Sequence, residues 1–392
     1  MDAPVMAELL SSAQQQLRAE VRALCARFPD TYWRELDRER AYPETFVQAL
    51  TEAGFLAALI PREYGGLGLG VTEASIILEE IHRSGGNASA CHAQMYTMGA
   101  LLRHGSEEQK RRWLPPIARG DLRLQAFSVT EAEAGSDTTA ITTTAARDGD
   151  GWVVNGHKSW TSRVEHSDLL LLLARTSPRD PADRTRGLSL FLVDVREARR
   201  SGGIETRRVR TMLNYETFQI TYRNLRLPAD ALIGEEGAGF RAIIDGWNAE
   251  RILLAAEAIG DGHWFVERAS AYAKSRVVFG RPIGANQGIQ FPLARAYGQV
   301  VAADLMRYRA ASLYDAGAPC GAEANLAKLL ASEASWAAAN VCLDVHGGYG
   351  FVDEYDVERK FRETRLFHVA PVSNNLVLSY IATHVLGLPR SY

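Results

Sequence analysis

The stretch Phe127-Ser-Val-Thr-Glu-Ala-Glu-Ala-Gly-Ser-Asp137 lies where the chain changes from helical to strand-like patterns. It places acidic and hydroxyl side chains around a glycine, between an apolar start and a threonine-rich continuation. Short hydroxyl side chains and free backbone N–H groups beside a glycine suit a loop that holds a polar, anionic ligand. An ordinary polar turn has the same composition, so the surrounding sequence must decide between the two.

The residues before this stretch predict helices, because apolar side chains recur at every third or fourth position. Gly85-Gly86 is a stop signal for one of these helices, and His104-Gly-Ser106 is typical of a helix end followed by the N-cap of the next helix. The predicted helices cover residues 13–28, 44–57, 72–81 and 107–118.

From about Leu124 the apolar runs become short and are bounded by glycine, aspartate and proline, which is typical of strands. Asp148-Gly-Asp-Gly151 predicts a hairpin turn. After Gly239 long helical patterns return, over residues 240–276, 289–316, 323–343 and 376–385. Helix, strand and helix in three blocks favour an α+β fold with segregated elements. No G-x-G-x-x-G follows a strand, which disfavours a dinucleotide-binding doubly wound sheet.

The blocks predict three domains: a helical N-terminal domain over residues 1–122, a middle β-domain over 123–234 and a helical C-terminal domain over 235–392. The net charge of −3 does not indicate nucleic acid or an anionic membrane as a partner. The longest apolar run, residues 169–174, is too short to span a bilayer.

The N-terminal residues Met1-Asp-Ala-Pro4 carry no basic start followed by an apolar stretch, so we expect no secretory signal. The four cysteines lack paired spacing, which favours free thiols in a reducing cytoplasm and indicates no metal site. They are Cys25, Cys91, Cys320 and Cys342.

Two further segments, Asn155-Gly-His-Lys-Ser-Trp-Thr-Ser162 and Asp344-Val-His-Gly-Gly-Tyr-Gly-Phe351, decide how the first stretch is interpreted. Together the three resemble the acyl-CoA dehydrogenase family of flavoenzymes. The resemblance covers nearly the whole chain, since Ile60-Pro-Arg-Glu-Tyr-Gly-Gly-Leu-Gly-Leu69, Gly237-Ala-Gly-Phe240 and Arg276-Val-Val-Phe-Gly280 also fit in order and spacing. It implies the same three domains, with a barrel-like middle domain and a C-terminal four-helix bundle.

The resemblance also implies FAD, bound between the β-domain and the C-terminal bundle. Val129 and Thr130 would face the isoalloxazine ring, Trp160 would pack beside it, and Ser162 would form a hydrogen bond near flavin N5. A buried flavin presents many polar edges that need partners, and its anionic pyrophosphate suits an arginine. The implied cofactor-binding residues are Phe127, Val129, Thr130, Trp160, Ser162, Arg276, Phe279, Gln287, Asp344, Gly347, Gly348, Ser373 and Asn375.

Several of these residues are implied at the adenosine end of FAD or at the substrate. Arg276 and Phe279 would meet the FAD of a neighbouring subunit, with Gln287 at the same adenosine end. Many family members have glutamine where this chain has Asp344. Ser136 is implied on the CoA side of the substrate. Alone, a tryptophan is more often a core residue and an arginine more often a surface charge, so these roles rest on the linked motifs.

The implied chemistry removes a proton α to a thioester while hydride leaves the β-carbon, and it needs a positioned carboxylate. In many family members the base is a glutamate near the C-terminus, but gapless alignment places Pro371 there. A subgroup that includes isovaleryl-CoA dehydrogenase carries its base on the first long C-terminal helix, just before an arginine. Glu250-Arg251 stands at that place. We therefore expect Glu250 to be the catalytic base and Arg251 to contact the substrate.

In an anonymous helix, a glutamate such as Glu250 is usually a surface acid paired with a basic neighbour. Four weaker candidates for the base are Glu131, Glu133, Glu363 and His368. Pro371 has a second consequence, because the family uses the backbone N–H at that position to bind the thioester carbonyl and proline has none. Losing such a donor can cost roughly 3–4 kcal/mol in the transition state.

Three hypotheses follow. The leading one is an oxidoreductase acting on CH–CH donors, an FAD-dependent acyl-CoA dehydrogenase that passes electrons to an electron-transferring flavoprotein. The alternatives are a flavin-dependent oxidase or monooxygenase on the same fold, which Glu250 disfavours and Pro371 favours, and an inactive family member. Because the implied FAD site is shared between subunits, we expect a homotetramer or a homodimer, with no nucleic acid or membrane partner.

Overall fold

The computed structural model describes residues 10–390, which fold into two compact units. Each unit is discontinuous in sequence. The helical unit contains residues 10–39, 70–88 and 248–390, and the sheet unit contains residues 40–69 and 89–247.

The sheet unit is built on an eight-stranded mixed sheet with the strand order β6-β7-β3-β2-β4-β5-β8, and β1 pairs with β4 in parallel. Residues 148 and 151 face each other across the β2–β3 hairpin, as the Asp-Gly-Asp-Gly turn predicts. Alternate residues of β3, β4 and β7 fill a core around Trp152, and a second core lies against β1 and the unit's helices. The strands are β1 Leu124–Ser128, β2 Thr144–Asp148, β3 Gly151–Ser162, β4 Leu169–Arg175, β5 Leu188–Asp194, β6 Ile204–Val209, β7 Thr217–Leu227 and β8 Leu232–Ile233.

The predicted helical ranges are helical with shifted ends, and four further helices, at residues 30–39, 89–104, 195–200 and 357–365, were not predicted individually. The predicted helix over 240–276 is divided at Asp245-Gly246 into a short and a long helix. The helices of the sheet unit are α3 Glu44–Glu52, α5 Ser89–His104, α6 Glu107–Arg119, α7 Val195–Arg200 and α8 Gly239–Ile244. Those of the helical unit are α1 Ser12–Cys25, α2 Asp30–Glu39, α4 Val71–Arg83, α9 Trp247–Ser275 (whose first residue belongs to the sheet unit), α10 Gln287–Asp315, α11 Gly321–His346, α12 Val357–Arg365 and α13 Asn374–Tyr380.

The predicted fold class is confirmed: the fold is α+β, with helices before and after a middle sheet. The boundaries at 122/123 and 234/235 stay predictions, and the outer ends of the first and third predicted domains lie outside the described residues. In the described part of the chain, no helix is long and apolar enough to cross a membrane.

The helical unit buries a group of charged side chains that compensate one another. The Lys360 ammonium, 0% exposed, lies 2.5 Å from Asp261 and 3.0 Å from Glu363. His82 accepts the Ala88 N–H at Nε2, so its Nδ1 carries the proton and donates to Asp261 at 2.8 Å. Burial alone would raise the pKa of Asp261, but Lys360 and His82 lower it. Asp261 therefore depends on Lys360 and His82 to remain charged in the core.

We expect Lys360→Met to lower the free energy of unfolding by about 3–5 kcal/mol, because it removes the lysine cation from the buried Asp261 carboxylate and one of two cations from Glu363. Urea unfolding followed by circular dichroism measures the change. The matched control is Arg200→Met, which breaks an exposed ion pair with Glu197 on α7 and should change stability by less than about 1 kcal/mol. Equal effects of the two substitutions would contradict this account of the core.

Candidate functional site

In the loop that follows β1, the backbone carbonyls are hydrogen-bonded to β3, while two backbone N–H groups remain available. The Val129 carbonyl accepts a hydrogen bond from Lys158 Nζ at 2.7 Å, and the Thr130 carbonyl accepts one from the Ser159 N–H at 2.8 Å. The N–H groups of Val129 and Thr130 donate to no acceptor among the described residues. Phe127 is half-buried at the end of β1. The loop therefore offers two adjacent N–H donors to an outside acceptor.

An irregularity in β3 presents Trp160 beside this loop. The register of β3 against β7 shifts between Lys158 and Thr161, and Ser159 turns its N–H to the loop. Trp160 adopts a φ of 62°, a left-handed conformation that is rare for a bulky residue, and its side chain is 58% exposed. Strained backbone of this kind concentrates at ligand sites. Ser162 ends the strand, with its hydroxyl 3.2 Å from that of Thr217.

Glu131 is fully engaged within the loop and does not suit the role of a base. Its carboxylate accepts hydrogen bonds from the Thr142 N–H at 2.7 Å and the Thr143 N–H at 2.9 Å, and it lies 3.0 Å from Lys158 Nζ. Burial would raise the pKa of Glu131, but Lys158 and these hydrogen bonds lower it to about 2. A carboxylate of such low proton affinity is a poor general base. Ser136 is exposed further along the same loop.

In the helical unit, Glu250 lies in the first turn of α9 and is only 7% exposed. The next residues of the helix that are buried are apolar, among them Ile252, Leu253 and Leu254. Arg251 is partly buried, and its Nη1 donates to Asn248 at 3.3 Å. Burial lowers the pKa of Arg251, against the opposing effect of Glu250. The surface-acid interpretation of Glu250 therefore does not fit its burial.

The turn that contains Pro371 joins a buried polar cluster. Pro371 is exposed and follows a cis peptide bond, and the Ser373 hydroxyl caps α13 by accepting the Leu376 N–H. Asn375 is exposed, while its neighbour Asn374 is buried and accepts a hydrogen bond from Lys328 Nζ at 2.6 Å.

Lys328 is 0% exposed, and burial together with Arg251 lowers its pKa to about 8. The Asn374 amide also donates to the Ser332 hydroxyl at 3.1 Å. His368 lies against the Ser332 carbonyl at 3.0 Å, which makes it part of this cluster. Burial lowers the pKa of His368 as well.

The two remaining weaker candidates for the base, Glu363 and Glu133, differ in burial. Glu363 is buried between Lys360 and Arg359, which lower its pKa although burial alone would raise it. Glu133 is exposed. Of the four acids and the histidine considered, Glu250 is the one that is both buried and followed along its helix by buried apolar residues.

A cavity of about 580 Å³ in the helical unit brings together four of the predicted residues. Arg276, Asp344, Gly347 and Gly348 all line it. Phe279 and Gln287 are not among its lining residues, and both are exposed. A cationic side chain and two glycines at one cavity suit a phosphate-bearing ligand.

The described residues contain one cluster with the spacing of metal ligands, formed by Glu79, His263 and Asp304. Arg307 already pairs with both carboxylates, at 2.7 Å from Glu79. Arg18 lies 3.0 Å from Glu79 as well. Two guanidinium groups thus satisfy these acids, and the cluster is an internal ion network.

Sequence reasoning missed Lys158 and Lys328, although both carry a signal. Lys158 falls two positions beyond Gly156 on the face of β3 that Trp152 and Val154 bury. Lys328 occupies the buried face of α11 at helical spacing from Ala324 and Ala331. A lysine in phase with buried residues indicates a buried cation with partners.

The chain matches all three domains of one protein family. The matches are the acyl-CoA dehydrogenase N-terminal domain over residues 11–121, the middle domain over 126–225 and the C-terminal domain over 237–386.

Individual relatives are similar over nearly their full length. Acyl-CoA dehydrogenase FadE12 of Mycobacterium tuberculosis is 36% identical over 386 residues, which cover 97% of this chain and 98% of the relative. The short-chain specific acyl-CoA dehydrogenase of Mus musculus mitochondria is 33% identical over 360 residues, or 91% of this chain and 86% of the relative. The glutaryl-coenzyme A dehydrogenase–glutaryl-CoA complex has a similar structure, with a TM-score of 0.90, 31% identity and coverage of 100% and 98%. The chain therefore belongs to the acyl-CoA dehydrogenase family.

Proposed function

We propose that this protein is an FAD-dependent acyl-CoA dehydrogenase that converts an acyl-CoA thioester to the 2,3-enoyl-CoA. The observation that carries the proposal is the burial of Glu250 at the start of α9, in a chain whose usual base position is Pro371. A carboxylate shielded from water and held by a helix is suited to remove the α-proton of a thioester. Bound FAD supplies the acceptor for the β-hydride.

The sheet unit has features that fit the isoalloxazine ring. The N–H groups of Val129 and Thr130 are available to acceptors on the ring, and the exposed indole of Trp160 offers a flat surface beside it. Phe127 lies on the strand before this loop, and Ser162 lies on the strand that carries Trp160. The proposed CoA contact, Ser136, is exposed on the same loop and accessible to a ligand.

The helical unit has features that fit the adenosine end of FAD, which in this family belongs to a neighbouring subunit. Arg276, Asp344, Gly347 and Gly348 line one cavity, and the arginine supplies the charge that a pyrophosphate requires. Phe279 and Gln287 are exposed and are proposed to reach the cofactor from the same side of this unit. Ser373 and Asn375 are proposed to meet the flavin from the turn before α13.

Pro371 removes one donor from the group that polarises the thioester carbonyl in relatives. The Val372 N–H donates to no acceptor among the described residues, and its side chain packs in a small core with Leu329 and Val377. We propose that this anchored N–H takes the place of the missing donor. Arg251, beside the base, is proposed to contact the substrate.

We further propose self-association as a homotetramer or homodimer and electron transfer to an electron-transferring flavoprotein. Apolar side chains exposed in the helical unit support self-association, since Phe279 is fully exposed and Val277 and Phe291 are more than half exposed. A monomer at micromolar concentration in sedimentation velocity would contradict it. Rapid oxidation by air with a hydroxylated product would instead favour the oxidase or monooxygenase alternative.

We expect Glu250→Gln to slow anaerobic bleaching of the flavin absorbance by its acyl-CoA at least about a hundredfold, because positioned general bases contribute factors of this size. Stopped-flow absorbance with straight, branched and aromatic acyl-CoAs measures the rate. FAD content should not change. Glu333→Gln, the same change at an exposed site on α11, should bleach like the unmodified enzyme. A full rate in Glu250→Gln, or its loss in Glu133→Gln, would place the base elsewhere.

We expect Arg276→Met to weaken FAD binding about tenfold or more and FMN binding less, because FMN lacks the adenosine half with its second phosphate and a charge-assisted hydrogen bond contributes about 1.5–3 kcal/mol. Titration of the flavin-free protein with each cofactor, followed by flavin fluorescence, gives both dissociation constants. Arg309→Met, at an exposed position of α10, is the control. Equal loss of FAD and FMN affinity would contradict the proposal that this cavity binds the adenosine end of FAD.

A further inference from the structure

Lys158 lies beneath the proposed flavin-facing loop. It is only 1% exposed, and its ammonium has two partners, the Val129 carbonyl at 2.7 Å and the Glu131 carboxylate at 3.0 Å. Burying an ammonium is costly unless hydrogen bonds and an opposite charge compensate it. Both partners belong to the loop, so the cation binds the loop to β3.

We propose that Lys158 is a positioning residue of the flavin site, whose contact with the Val129 carbonyl sets the direction of the Thr130 N–H, and thereby the affinity for FAD. This inference rests on the proposed function. Lys158 itself is buried under the loop, and it acts through Val129 and Glu131.

Peptide geometry connects the buried cation to the outward donor. The Val129 carbonyl and the Thr130 N–H belong to one planar, trans peptide group and point in opposite directions. A bond from Lys158 Nζ that draws the carbonyl inward therefore turns the Thr130 N–H outward. The next peptide is held as well, because the Thr130 carbonyl accepts the Ser159 N–H. With the carbonyls of Val129 and Thr130 both held from β3, the peptide that carries the Thr130 N–H has little freedom to rotate.

Glu131 completes the arrangement from the other side. Its carboxylate compensates the charge of the Lys158 ammonium. It also accepts hydrogen bonds from the N–H groups of Thr142 and Thr143, which directly precede β2. Burial lowers the pKa of Lys158 to about 8, while Glu131 opposes that change. The Lys158–Glu131 ion pair thus connects the loop, β3 and the segment before β2.

The experiment compares full-length Lys158→Met with the double variant Lys158→Met/Glu131→Gln. The single change leaves the Glu131 charge uncompensated, whereas the double change removes both charges but still leaves the Val129 carbonyl without its ammonium. FAD affinity from fluorescence titration, melting temperature and kcat are measured for each. Lys110→Met, which breaks a more exposed ion pair with Glu107 on α6, is the control.

If Lys158 positions the loop, both variants bind FAD at least tenfold more weakly, and the double variant regains melting temperature without regaining FAD affinity. If Lys158 only balances a charge, the double variant regains both, which would overturn the inference. Unchanged FAD affinity in the single variant would overturn it too. Failure of the unmodified protein to bind FAD would overturn the proposed function, and this inference with it, which distinguishes the two failures.

Discussion

The buried ammonium of Lys158 is the constraint on which the proposed flavin-facing surface depends. A cation in the core needs acceptors, and the nearest ones available are a loop carbonyl and a loop carboxylate. The loop is therefore drawn onto β3 by the requirement to satisfy the charge. The irregularity in β3 follows the same geometry, since Ser159 uses its N–H for the Thr130 carbonyl and the strand bulges, which turns Trp160 outward.

The helical unit uses buried lysines in a similar way. Lys360 donates to the Gly86 carbonyl while it compensates Asp261 and Glu363, and so fixes the chain just after α4. Lys328 reaches the side chain of Asn374 at the start of α13. In each case the amine holds an irregular segment against a regular element. A flexible four-carbon side chain suits this task, because it can carry a point charge from a helix or strand to a loop.

The sequence predicted the helix, strand and helix blocks because periodicity is local, and the hairpin at Asp148–Gly151 because its turn chemistry is local. The motif residues around Val129 and Trp160 were assigned through the resemblance to a known family, and their roles stay predictions. Lys158 and Lys328 were not singled out, because their role depends on partners 27 and 46 residues away in the chain, Glu131 and Asn374 respectively. Periodicity indicates that a lysine is buried, but not which carbonyl or carboxylate it meets. Glu131 shows the converse, since a motif acid that could have been a base is an internal counter-ion.

Pro371 and Glu250 mark two places, a turn and a helix, where a catalytic base can be held in this fold. The turn before α13 carries an exposed proline and is held in place by the side-chain hydrogen bonds of Asn374 and Ser373. An acid there would depend on those contacts for its position. Glu250 instead lies on a 29-residue helix, whose backbone hydrogen bonds fix the position of its Cα. With Glu250 as the proposed base, the acid would start from a fixed Cα on the helix, and the turn before α13 would be free to carry a proline.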